Sequence, residues 1–211
     1  MKQQIGIHTL WPTPILEVSY GDRFQKEIDD IIDKVEFVRA PDGWGKTHKI
    51  SKPANGFFYD DVIGVYGLKE IGKEIDTLAR EYCAMFNLKY ATYRRTSWFV
   101  LMEKGDFAHM HTHGAAALSG AYYYKTTGED GNIYFHCPVG PMKSNPTFTA
   151  MGSPRHIFQA EEGKMLMFPG WADHGVMQNE TGDRRISLSF NIEFDYFAGQ
   201  RTERVEEAPE E

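Results

Sequence analysis

The change in residue pattern after Asn87 constrains the fold of this chain more than any other feature. The second half contains about eight short apolar runs separated by Gly, Pro, Asn and Asp, with no helical pattern between them. Consecutive short strands of this kind predict a sandwich or barrel of the jelly-roll type rather than a parallel sheet. The runs lie at about 93–102, 118–125, 132–137, 147–151, 156–160, 164–168, 174–178 and 185–195.

The first half of the chain predicts two helices. Apolar residues recur at helical spacing at about 22–36 and again at about 66–86, with charged residues on the opposite face. The segment 38–60 is rich in Gly and Pro and predicts a long loop, whereas 9–18 carries two prolines and predicts an extended edge segment. The fold class is therefore mainly β with flanking helices, and we predict a barrel braced by the two N-terminal helices.

The pattern indicates one domain followed by a short tail. Residues 1–198 contain both helices and the barrel, which spans about 93–195. The last stretch, 199–211, reads GQRTERVEEAPEE and offers almost nothing to bury. We expect this acidic tail to be disordered.

Charge and cysteine content narrow the functional classes. Lys and Arg sum to 23 against 30 Asp and Glu, so the net charge is −7, which disfavours nucleic acid as a partner. Two cysteines, Cys83 and Cys137, allow at most one disulfide and favour a reducing compartment. No apolar run approaches the ~20 residues that cross a bilayer. We therefore expect a cytoplasmic protein that does not enter a membrane.

Three histidines at alternating positions carry the strongest chemical signal. His109, His111 and His113 occur in the stretch AHMHTHG. Alternate residues of a strand share a face at a spacing of ~6.6–7 Å, so two consecutive members could bind one metal ion. A surface histidine cluster explains the same pattern, and the sequence around it must decide between the two.

Two later segments could complete such a site. His174 follows an apolar run and a Pro-Gly turn in FPGWADHGV, which suits a third ligand at the mouth of a barrel. In RRISLSFN, strand alternation places Arg185, Ser187 and Ser189 on one face. A guanidinium on an inner face can bind a carboxylate through two parallel N–H···O hydrogen bonds. An ordinary ion pair of Arg185 with Glu180 or Asp183 is the alternative.

Together these segments resemble the 2-oxoglutarate/Fe(II)-dependent oxygenase family, which has a double-stranded β-helix fold (jelly-roll or cupin-like) and is similar to prolyl hydroxylases. The resemblance extends from about Leu10 to Ile192 and includes LWPTPIL, HTH with the following LSGAYYY, FPGWADH and RRISLSFN. It implies that His111, His113 and His174 bind iron(II). It also implies that Arg185 and Tyr123 bind 2-oxoglutarate, with Ser187 and Ser189 beside them.

The implied activity is O2-dependent hydroxylation of a small-molecule or peptidyl substrate, with release of succinate and CO2. His113 departs from the family pattern, because the usual ligand at this place is a carboxylate. His109, Asp106 and Asp173 remain alternative ligands, and Trp98 and Trp171 are candidates for the mouth of the barrel. A cupin-like three-histidine dioxygenase or isomerase that needs no 2-oxoglutarate is the first rival. A non-catalytic barrel that binds a metal or an anion is the second.

Overall fold

A computed structural model describes residues 13–54, 60–88, 92–138 and 154–195. Within these ranges the chain forms three helices and twelve strands. The helices are α1 (Gln25–Ile32), α2 (Val62–Tyr66) and α3 (Lys69–Met85). The strands are β1 (Leu16–Ser19), β2 (Phe37–Arg39), β3 (Gly45–Lys46), β4 (Lys49–Ser51), β5 (Thr92–Met102), β6 (Phe107–His111), β7 (Leu118–Lys125), β8 (Ile133–His136), β9 (Arg155–Phe158), β10 (Lys164–Pro169), β11 (His174–Val176) and β12 (Arg185–Asp195).

The strands form two antiparallel sheets. The larger sheet has the order β1-β10-β7-β12-β5-β4-β2, and the smaller sheet has the order β3-β6-β11-β8-β9. Strands that follow one another along the chain, such as β6 and β7, lie in different sheets, as they do in a jelly roll. The predicted mainly-β jelly-roll class is confirmed.

The N-terminal half agrees with the prediction in part. Helices α1 and α3 lie within the two predicted ranges, and β1 is an edge strand paired with β10. The prediction of a loop over 38–60 is wrong for its described residues, which contain the short strands β2, β3 and β4. Strands of two or three residues show no periodicity of their own, and these three are held by pairing with one another or with β5 and β6.

Some sequence predictions fall outside the described residues or remain open. The predicted strand at 147–151 and the tail at 199–211 lie outside the described ranges. Helix α2 was not predicted, since five residues are too few for a helical pattern to be recognised. The bracing role of the two longer helices stays a prediction. None of the helices in the described residues is long and apolar enough to span a membrane.

Two hydrophobic clusters fill the interior. The larger one joins α1 and α3 to the larger sheet and contains Ile28, Ile71 and Phe190, each fully buried. The smaller cluster lies between the sheets and contains Phe135 and Phe168. Strand β10 contributes alternate side chains to both clusters, Met165 and Met167 to the larger and Leu166 and Phe168 to the smaller, which explains why these four residues are buried. The smaller cluster thus forms the base of the space between the sheets.

Candidate metal and anion site

A cavity of about 670 Å3 lies between the two sheets. Its walls are formed by inward-facing residues of β5, β7 and β12 on one side and of β6 and β11 on the other. All seven residues that the sequence resemblance assigned to the site line this cavity: His111, His113, Tyr123, His174, Arg185, Ser187 and Ser189.

Three of the four histidines that line the cavity lie close together at the smaller sheet. His111 ends β6, and His174 begins β11 directly opposite it in the antiparallel pair. His113 lies two residues beyond the end of β6, where its backbone N–H donates to the carbonyl of Gly170 at 2.8 Å. The site is therefore held by a strand pair on one side and by a hydrogen-bonded turn on the other.

The three imidazole rings are close enough to bind one metal ion. The ring centroids are 5.1 Å apart for His111 and His113, 4.4 Å for His111 and His174, and 5.0 Å for His113 and His174. One nitrogen from each ring can be chosen so that all three lie within 4.8 Å of one another. Among the described residues these three histidines form the group with metal-binding geometry.

Backbone carbonyls fix the tautomers of two of these rings. The Nδ1 atom of His111 lies 2.7 Å from the carbonyl oxygen of His109, and Nδ1 of His174 lies 2.8 Å from that of Ala172. Because a carbonyl can only accept, Nδ1 carries the proton in each ring and Nε2 keeps its lone pair. This outer hydrogen bond is typical of histidines that bind metals.

Burial keeps the inner two rings neutral. It lowers the pKa of His113 to about 3, assisted by the neighbouring charges of His174 and His111. Burial likewise lowers the pKa of His174 to about 4, and His111 adds to the effect. Since only a neutral imidazole has a lone pair to donate, both rings are in the form that a metal ion requires.

A buried arginine lies deeper in the same cavity. Arg185 is 2 % exposed and forms no ion pair with a described residue. Its Nη1 donates to the Sδ of Met102 at 3.1 Å, while its Nε has no hydrogen-bond partner in the described parts of the chain. A buried guanidinium without a counter-ion is strongly unfavourable. The structure therefore provides a site for an anion, and pairing with Glu180 or Asp183 is not observed.

Tyr123 completes the polar end of the cavity. Its ring lies 5.1 Å from the Arg185 guanidinium, and no group of the described residues forms a hydrogen bond with its buried hydroxyl. Burial raises the pKa of this phenol, and the charge of Arg185 opposes that rise. The neutral hydroxyl can donate to an anion, and Ser187 and Ser189 follow Arg185 along the same face of β12.

The three alternative metal ligands, His109, Asp106 and Asp173, are not part of the three-histidine group. His109 is exposed and packs edge-on against Phe107. Asp106 accepts hydrogen bonds from the hydroxyl of Thr47 and from the backbone N–H of Glu103, so it stabilises a turn. Asp173 is not part of the three-histidine group.

Of the two tryptophans predicted at the mouth of the barrel, Trp98 lines the cavity and Trp171 does not. Trp98 lines the cavity, and its ring centroid lies 6.2 Å from that of His113. Trp171 is 51 % exposed and is not among the lining residues.

The sequence analysis did not assign several residues of the cavity wall, among them Asn191, Trp44 and His48. Asn191 could have been found by continuing the alternation of β12 beyond Ser189. Trp44 and His48 lie in the segment predicted as a loop, where nothing in the sequence indicates which side chains turn inward. Burial lowers the pKa of His48 and keeps its ring neutral.

Gly170 allows a testable prediction about the turn that holds His113. An added Cβ there would lie 2.1 Å from the backbone oxygen of Ala116, so Gly170→Ala must displace this turn. We expect a loss of more than about 2 kcal/mol in stability together with weaker metal binding. Gly182→Ala is the matched control, because nothing lies within 4 Å of its added Cβ. Equal melting temperatures and metal affinities for the two variants would contradict the role of the turn.

A jelly roll whose cavity holds three converging imidazoles and a buried guanidinium fits a non-haem metal site next to an anion site. Residues 96–191 match the family model described as "Putative 2OG-Fe(II) oxygenase". This match confirms the resemblance seen in the sequence for this segment, which contains all seven predicted site residues and is similar to the 2-oxoglutarate/Fe(II)-dependent oxygenases. Iron(II) and 2-oxoglutarate are the cofactor and co-substrate that this family model implies, and the three histidines could hold the metal.

Solved structures share the fold at low sequence identity. The chain is similar to a prolyl-4-hydroxylase from Pseudomonas putida, with 14% identity, 87% of this chain and 94% of that chain covered, and a TM-score of 0.59. It is similar to HygX from Streptomyces hygroscopicus with nickel and 2-oxoglutarate bound, with 12% identity, coverage of 88% and 84%, and a TM-score of 0.56. The α-ketoglutarate-dependent epimerase SnoN from nogalamycin biosynthesis gives 16% identity, coverage of 85% and 77%, and a TM-score of 0.56. The search of curated proteins gave no significant match.

Proposed function

We propose that the protein hydroxylates a small-molecule or peptidyl substrate with conversion of 2-oxoglutarate to succinate and CO2. His111, His113 and His174 hold the iron in this proposal. The observation that carries it is one cavity with three converging imidazoles and a buried, unpaired arginine. The rival that needs no 2-oxoglutarate is not favoured, because the family model matches the segment containing all of these residues.

The three histidines fit Fe(II). Imidazole nitrogen is a suitable ligand for this ion, and a group on one side of the metal leaves other coordination positions open. Bound Fe(II) with 2-oxoglutarate supplies the oxidising chemistry. The carbonyls of His109 and Ala172 keep two of the rings oriented with Nε2 available.

Arg185 and Tyr123 fit the far carboxylate of 2-oxoglutarate. The guanidinium offers an unpaired Nε–H, and the tyrosine offers an unpaired hydroxyl in the same buried space. Their hydrogen bonds would orient the co-substrate so that its keto-acid end faces the histidines. Ser187 and Ser189 provide further hydroxyls between the two ends. Because Arg185 and Tyr123 are both buried, bulk water is excluded from this end.

An anaerobic titration tests the proposal directly. The Fe(II)-loaded protein is titrated with 2-oxoglutarate, and the visible charge-transfer band of the chelated keto acid is measured. We expect a saturable band, and then O2-dependent formation of succinate. Absence of the band with iron bound would contradict the assignment of the co-substrate pocket.

The three-histidine ligand set gives a further prediction. His113→Glu restores a carboxylate at this place, and we expect it to retain iron much better than His113→Ala, since an oxygen donor can replace the nitrogen. His113→Asp should retain less than Glu, because its side chain is shorter than that of histidine. Both acidic variants lower the net charge of the metal site from +2 to +1, so 2-oxoglutarate should bind less tightly to them.

Metal occupancy of the three variants at His113 decides this prediction. Iron binding like that of the parent in His113→Ala, Asp and Glu alike would show that His113 does not contact the metal. The ligand set would then have to include His109, Asp106 or Asp173.

A further inference from the structure

The outer half of the cavity, beyond the three histidines and toward Glu193, differs in its lining from the inner half that contains Arg185. Inward-facing residues of β12 run from Arg185 at the closed end to Glu193 at the open end. Arg185 is 2 % exposed, whereas the side chain of Glu193 is 28 % exposed. Eight residues of strand span ~26 Å, which is several times the length of 2-oxoglutarate. The space beyond the histidines is therefore available for a second molecule.

Two tryptophans form an apolar wall in this outer half. The Trp98 ring centroid lies 6.2 Å from that of His113 and 6.2 Å from that of Trp44. Pairing of β3 with β6 holds Trp44 in place, and the backbone N–H of His109 donates to the Trp44 carbonyl at 3.0 Å. A molecule that contacts both rings would present its C–H bonds next to the histidines.

The two charged residues that line the mouth of the cavity, Arg94 and Glu193, pair with each other. Arg94 and Glu193 are opposite each other on β5 and β12, and their side chains form an ion pair. The other described residues that line the outer half beyond the histidines are uncharged: Gly43, Trp44, Trp98, Thr112, Gly114, Ala115, Ser119 and Asn191. A charged ligand would lose its hydration here without gaining a free counter-ion, which is unfavourable.

One polar group in this wall lacks a partner. Asn191 is opposite Thr96 on β5 and Ser119 on β7, and its Oδ1 is buried without a hydrogen bond. A primary amide offers both a donor and an acceptor and cannot carry charge. A buried amide oxygen without a partner is costly unless a ligand satisfies it. Because the unpaired atom is an acceptor, its complement is a hydrogen-bond donor, and in these uncharged surroundings the N–H of an amide or the O–H of a hydroxyl fits it.

We infer that Asn191, Trp98 and Trp44 form the substrate subsite, and that the substrate is a neutral molecule with an apolar face and an amide or hydroxyl group. The apolar face packs on the tryptophans, and the amide or hydroxyl pairs with Asn191. This inference rests on the proposed function, because it needs iron and 2-oxoglutarate in the inner half.

Three probes that share one ring test the charge preference: cyclohexanecarboxamide, cyclohexanecarboxylate and cyclohexylmethylammonium. Their dissociation constants are measured by NMR titration of the protein loaded with Zn(II) and 2-oxoglutarate, since Zn(II) is diamagnetic. We expect the carboxamide to bind at least about tenfold more tightly than either ion. Tightest binding by the carboxylate, or binding by none of the three, would overturn the inference.

Asn191→Asp is the decisive variant. It places a carboxylate where the amide was. The ranking of the three probe affinities should therefore change, and the ammonium probe should bind most tightly. Asn87→Asp adds the same charge at an exposed position after α3 and should leave the order unchanged. An unchanged order in Asn191→Asp would remove this residue from the subsite.

Failure of this inference can be distinguished from failure of the proposed function. The Fe(II) form of the same preparation is titrated with 2-oxoglutarate under anaerobic conditions. A normal charge-transfer band with no probe preference overturns the subsite alone. Absence of the band overturns the proposed function, whatever the probes do.

Discussion

His174→Ala is expected to remove most of the protein's affinity for Fe(II). The ring is buried, its Nδ1 is held by a carbonyl, and its Nε2 lies 3.2 Å from Nε2 of His113. Loss of an outer hydrogen-bond partner of a metal ligand already costs roughly 10–100-fold in affinity, so loss of the ligand itself should cost more. We expect at least tenfold losses for His111→Ala and His113→Ala as well.

His109→Ala is the matched control for these variants. His109 belongs to the same alternating series, but its ring packs on Phe107, outside the three-histidine group. Its backbone carbonyl, which holds the His111 ring, is kept in the variant. A competition assay with a metal-binding dye measures all four affinities. If His109→Ala weakened binding as much as His113→Ala, the assignment of ligands would shift by two residues.

The histidine series shows what the sequence could predict and why. Strand alternation predicted that two consecutive members of the series would share a face, and His111 and His113 do converge. The physical reason is different, however, because β6 ends at His111 and His113 lies in the following turn. This turn is fixed by the contacts of Gly170 with Ala116 and His113, which are remote in the sequence.

Strand β12 was predicted more completely. It has eleven residues, and both of its neighbours, β5 and β7, pair with it over most of its length. Pairing with β5 is regular over all eleven residues, whereas the register with β7 shifts between Ile186 and Ser187. The regular pairing preserves the alternation of β12, so the inward positions of Arg185, Ser187 and Ser189 follow from the sequence. The short strands β3 and β4 have no such regularity. The inward side chains of Trp44 and His48 therefore could not be predicted, although both contribute to the cavity wall.

Arg185→Met is expected to raise the dissociation constant of 2-oxoglutarate by about 30-fold or more while leaving iron content unchanged. Truncation of one partner of a buried charged pair typically costs about 2–5 kcal/mol, and each ~1.4 kcal/mol is tenfold. Arg185→Lys should recover only part of the affinity, since an ammonium cannot reproduce the planar fork. Arg184→Met is the control, because that side chain is 67% exposed and pairs with Glu103.

The same variant separates a binding role for Arg185 from a purely structural one. In the protein without 2-oxoglutarate, the Arg185 charge is buried beside Met102 and Tyr123, and no carboxylate of the described residues pairs with it. Its replacement by an apolar side chain of similar length should therefore keep or raise the melting temperature. The stabilisation that 2-oxoglutarate gives to the parent should at the same time be lost. A lower melting temperature with unchanged 2-oxoglutarate affinity would show that Arg185 stabilises the fold and does not bind the co-substrate.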